Sequence, residues 1–136
     1  MVMNMERMLE RDFTNVLIDW KENNIKTPLM IIGARQTGKS CTVQEFCNKN
    51  FENFVEINLE LEEEIKEFFE TTLKPEEIIR YIKLIKRIDI DIENTVIFFD
   101  EIQTSERAIT SLKYFAESKE NYKIITAGSL LRCKAK

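Results

Sequence analysis

The stretch Leu29 to Ser40, LMIIGARQTGKS, admits few folds. A short apolar run leads into Gly33, Gly38, Lys39 and Ser40, which fill the fixed positions of G-x-x-x-x-G-K-[ST]. Each residue type answers a physical need. Glycines lack Cβ atoms, so the backbone between them can turn sharply and lie against a phosphate. Successive amide N–H groups then form an anion-binding concavity. The helix that follows adds its unpaired N–H groups and positive dipole end. With glycine at about 7% of usage, the four positions should match by chance in roughly one chain of this length in a few hundred. The preceding run, Leu29-Met30-Ile31-Ile32, suits a buried parallel strand, and residues 39–50 can form the helix. Phosphates would therefore meet Gly33, Ala34, Arg35, Gln36, Thr37, Gly38, Lys39, Ser40 and Cys41. Lys39 can reach the β- and γ-phosphates, and the Ser40 hydroxyl can ligate Mg²⁺.

A second group of residues complements that loop. Thr95-Val96-Ile97-Phe98-Phe99 reads as a fully apolar strand ending in Asp100-Glu101. In a parallel sheet, ligands sit beyond the carboxyl ends of the strands. Asp100 is thus expected to hold Mg²⁺ directly or through a water, and Glu101 to orient and deprotonate the attacking water. Another strand, Tyr122 to Ala127, runs into Gly128-Ser129. Ser129 is expected to contact the γ-phosphate or the water, with Thr126 as an alternative donor. Gln103 reads equally well as a neighbour of the base or as a surface residue.

The rest of the chain alternates helix and strand. Met5, Met8, Leu9, Phe13, Val16, Leu17 and Trp20 recur at helical spacing, so a helix is expected over 5–22, ended by Asn23-Asn24. Phe54 to Leu59 reads as a strand. An acidic helix follows, with Leu61, Ile65, Phe68 and Phe69 on one face. Pro75 opens the next helix, lined by Ile78, Ile82 and Ile85. Residues 88–94 read as a polar connector. Thr104 or Ser105 can cap a helix whose inward face is Ala108, Ile109, Leu112, Phe115 and Ala116. The pattern predicts an α/β fold with a mostly parallel sheet between two helical layers.

Composition narrows the function. The 136 residues carry 20 basic and 24 acidic side chains, a net charge of −4, which gives no overall reason to bind nucleic acid or an anionic membrane. There is no histidine, and Cys41, Cys47 and Cys133 form no CxxC pair, so a histidine triad is excluded and a zinc site has no support. No apolar run reaches the length of a membrane span, and the first residues do not read as a secretory signal, so a cytoplasmic location is expected.

Together GARQTGKS, VIFFDEIQ, RAITSLKYF and TAGSLL resemble the bacterial and archaeal AAA-type ATPases whose nucleotide domain precedes a separate C-terminal domain of unknown function. The likeness covers residues 5–131. It implies a P-loop NTPase fold of three α/β/α layers, with an extra strand between those bearing the two nucleotide motifs. Gly33 to Ser40 would be Walker A, Asp100 and Glu101 Walker B, and Ser129 or its surroundings sensor 1. Such relatives continue past Gly-Ser-Leu-Leu with a fifth strand, a helical lid and the second domain. The chain thus looks truncated, with the C-terminal strand and lid missing. The missing strand would border Leu29 to Ile32 and leave it an open apolar edge, an invitation to self-association or to a partner subunit. Arg35 and Arg107 are candidates for the arginine finger by type alone. The resulting expectation is Mg²⁺-dependent ATP binding with weak or lost hydrolysis. Two other readings are a P-loop phosphotransferase and a nucleotide-responsive interaction fragment without turnover.

Overall fold

A computed structural model describes residues 2–4, 10–33 and 39–129. Five strands form one sheet: β1 (Val2–Asn4), β2 (Leu29–Gly33), β3 (Asn53–Asn58), β4 (Thr95–Asp100) and β5 (Lys123–Ser129). Their order is β1-β2-β5-β4-β3, and every pairing is parallel. The helices are α1 (Glu10–Glu22), α2 (Lys39–Asn50), α3 (Glu63–Thr71), α4 (Pro75–Lys86) and α5 (Glu106–Glu117). As expected, an added strand, β5, lies between those that end in Gly33 and Asp100.

Strand parity sorts the core into two layers. Val96 and Phe98 join Ile125, Ala127, Leu29 and Ile31 in one cluster, packed by Phe13, Leu17 and Trp20 of α1 and Val43, Phe46 and Cys47 of α2. Ile97 and Phe99 join Ile124, Val55 and Ile57 in the other, packed by α3, α4 and α5. Successive strand residues point to opposite faces, so a sheet covered on both faces needs unbroken apolar runs. Every residue of β4 and β5 is buried accordingly. In the α1/α2 layer, burial, with Glu56 adding to it, pushes the Cys47 thiol up to about 12.

Helix ends follow local chemistry. The α1 end is a Schellman turn: Asn24 sits at φ 51°, its N–H donates to Lys21 O, and Ile25 N–H donates to Trp20 O. Ser105 rather than Thr104 caps α5, its hydroxyl accepting from Ala108 N–H at 3.0 Å.

One expectation falls outside the described residues, and several are corrected. The described part of the first helix begins at Glu10, and residues 5–9, with Met5, Met8 and Leu9, lie outside the described residues. Leu61 is not on the buried helix face but 74% exposed. Asn58 Oδ1 accepts from Glu60 N–H, and Asn58 N–H donates to Glu62 Oε2, so a turn holds Leu61 outside α3. Ile79 takes the inward place expected of Ile85, which is partly exposed. Ile90, in the supposed polar connector, is buried. The largest correction concerns the sheet edge. β2 is not open, because β1 pairs with it in the register Val2↔Met30 to Asn4↔Ile32. Among the described residues the sheet's outer strands are β1 and β3, and the proposed association through a bare β2 has lost its basis.

Candidate functional site

The order of the strands brings three chain segments to one rim. From β2 the chain moves across the sheet to β3 by way of α2 on one face, then returns through β4 to β5 by way of α3, α4 and α5 on the other. Such a reversal opens a crevice beyond the carboxyl ends of the strands. Gly33 is level with Ser129, and Phe99 with Thr126. The last residues of β2, β5 and β4 therefore end within about 7 Å of one another along the strand direction.

Parity decides which side chains face the α2 side. Asp100 follows Val96 and Phe98, and Ser129 follows Ile125 and Ala127, so both share the face on which α2 packs. Thr126 is level with Met30 and Phe99, which pack on the opposite face, so it is a less suitable donor than Ser129. Ser129 is 1% exposed, and its Oγ has no hydrogen-bond partner among the described residues. The Thr95 and Thr126 hydroxyls are equally unpartnered, so this alone does not mark a site. What distinguishes Ser129 is its position beside Gly33.

Glu101 is held by its own neighbours. Its backbone is left-handed, φ 55° and ψ 43°, which turns the chain sharply after β4. Its N–H donates to Asp100 Oδ1 at 2.9 Å. Its carbonyl accepts from the N–H and the hydroxyl of Thr104 at 3.2 and 2.8 Å. The short 3₁₀ turn Ile102–Thr104 carries Gln103 back under β5. Gln103 is no surface residue: it is 1% exposed. Its Nε2 donates to Glu101 Oε1 at 2.7 Å, and its Oε1 accepts from Ser129 N–H at 3.1 Å.

Lys39 and Ser40 are the first residues of α2, directly after the loop, and Cys41 next to them is exposed. Ala34, Arg35, Gln36, Thr37 and Gly38 lie outside the described residues. A family model for an AAA domain matches residues 26–136. The chain belongs to the AAA domain family. Membership indicates an ATP-binding, nucleotide-binding module. No curated protein matches the chain.

In this AAA domain Arg107 is turned from the crevice. Its Nε donates to Phe69 O at 3.0 Å, near the end of α3 on the far face of the sheet. It also lines a cleft of about 800 Å³ with Lys74, Tyr114 and Tyr122, away from the rim. Among the described residues no helix is long and apolar enough to cross a membrane, and no group of three or more Cys, Asp or Glu is placed to hold a metal.

Gly128 is needed for closeness. A Cβ there would stand 2.9 Å from Gln103 Oε1 and 3.2 Å from Ile102 Cγ2. Gly128→Ala is expected to cost about 1–3 kcal/mol by overpacking, seen as a lower urea midpoint. An unchanged midpoint would mean that the Gln103 amide can retreat freely.

Proposed function

We propose that this AAA domain binds Mg·ATP in the crevice beyond β2, β5 and β4, and that Glu101 is the base that activates water against the γ-phosphate. The observation that carries this reading is the shared face of Asp100 and Ser129 beside Gly33, with the Ser129 hydroxyl buried and unpartnered. The backbone from Gly33 to Cys41 would wrap the phosphates, and Lys39 would balance their charge. Magnesium takes one or two protein ligands and keeps several waters, so the Ser40 hydroxyl and the Asp100 carboxylate suffice to hold it. When bound, the ion supplies charge neutralisation on the β- and γ-phosphate oxygens. Ser129 would donate to the γ-phosphate or to the attacking water, and Glu101 would take that water's proton. Slow turnover fits the commitment of Arg107 to α3, since an arginine finger is worth about 10³–10⁵ in rate.

Titration with Mg·ATP tests the reading. Wild type should bind, and Lys39→Ala should bind roughly 10- to 100-fold more weakly, the worth of a hydrogen bond to a charged group. A folded wild-type chain indifferent to Mg·ATP would overturn the proposal.

A further inference from the structure

We infer that Gln103 is a positioning residue that ties the Glu101 carboxylate to the end of β5, so that contact at Ser129 is transmitted to the base. This rests on the nucleotide reading above. The side-chain amide joins two groups from different strands: the carboxylate after β4 and the last backbone N–H of β5. Its orientation is forced. Ser129 N–H can only donate, so it needs Oε1, and the carboxylate accepts, so it needs the NH₂ group. A flipped amide would set oxygen against oxygen and hydrogen against hydrogen.

The surroundings leave the amide little freedom. It is buried, the 3₁₀ turn that carries it is pinned by Thr104, and Gly128 supplies the space that a Cβ would fill. The left-handed backbone at Glu101 costs about 1–2 kcal/mol for a residue with a Cβ. It is the bend that returns Gln103 under β5. Ser129 thus has two ends with different duties. Its N–H holds Gln103, while its buried hydroxyl, on the α2 side of the sheet, has no partner among the described residues. A phosphate or water that engages the hydroxyl pulls on the residue whose N–H orients the amide. The amide in turn sets where the carboxylate stands.

The test reads Gln103 directly. In wild type the side-chain NH₂ signals of Gln103 should shift in ¹H–¹⁵N spectra on saturation with Mg·ATP. In Ser129→Ala, also at saturation, that shift should vanish. In turnover assays Gln103→Met, of similar volume but without the amide, should keep the Mg·ATP affinity within about twofold. Its phosphate release should fall roughly 10- to 100-fold, as for a misplaced catalytic group. Gln103→Asn keeps the amide but is one methylene short of spanning both partners, so it should fail in the same way. A Gln103 signal that ignores Mg·ATP, or that shifts equally in Ser129→Ala, overturns the relay. A chain that binds no Mg·ATP removes the nucleotide reading and the relay with it, whereas binding with a still Gln103 removes the relay alone.

Discussion

Glu101→Gln is expected to bind Mg·ATP as tightly as wild type while phosphate release falls roughly 10²- to 10⁴-fold, the usual worth of a general base. The substitution changes one oxygen to an NH₂ group and keeps the shape. The remaining carbonyl oxygen can still accept from Gln103 Nε2, and the backbone bonds from Asp100 and to Thr104 do not involve the side chain. Loss of rate therefore cannot be assigned to a collapsed turn. Parallel measurements of binding and phosphate release on the same samples separate the two steps. Equal release by Glu101→Gln and wild type would move the base elsewhere. Weakened binding would mean that the carboxylate serves the nucleotide's metal instead of water.

Phe99→Ala is expected to cost about 3–5 kcal/mol, a large share of the ~5–15 kcal/mol that a domain of this kind has in total. Phe99 stands at the centre of the layer between the sheet and α3–α5. It is 1% exposed, level with Ile57 of β3 and Thr126 of β5. Its ring meets Phe69 edge-on at 5.7 Å between centroids and Phe115 at 6.5 Å. Truncation leaves a cavity walled by two rings and two strands, and strands held on both sides by hydrogen bonds cannot close around it. Phe99 also immediately precedes Asp100 and Glu101, so disorder there would spread to the rim. Urea unfolding provides the measurement, with Phe99→Leu losing much less. A loss below about 1 kcal/mol would show that the layer repacks.

The sequence made the centre of the sheet legible because its strands are apolar on both faces and end in turn or acidic residues. The runs before Gly33, Asp100 and Gly128 announced β2, β4 and β5 for that reason, and alternation with helices implied parallel pairing. What escaped detection depends on partners distant in sequence or on local turns that leave no periodic signal. Strand β1 has three residues, Val2–Asn4, too few to show a period, and only the neighbouring β2 makes it a strand. Leu61 has helical spacing to Ile65, yet Asn58 and Glu62 bind the intervening backbone into a turn first. The place of Ser129 just past the apolar run favoured it over Thr126, but the face each occupies was not legible, since both faces of β5 are buried and apolar, and only the positions of the helices say which face belongs to α2. Gln103 carried no periodic signal at all. Its burial comes from a left-handed bend at Glu101 and from a glycine on another strand.

The pairing of β2 with β5 also sets a timetable for assembly. Leu29 is matched with Ile125, so the strand that ends in Gly33 finds this neighbour only when nearly the whole described chain has left the ribosome. Closing a segment of roughly a hundred residues costs on the order of 4 kcal/mol in chain entropy. By contrast β3, β4 and β5 are near one another in sequence and can zip together first. A nascent chain would then join β3, β4 and β5 before the earlier-made β2 is added beside β5, and bound nucleotide would act as a late clasp on the finished sheet.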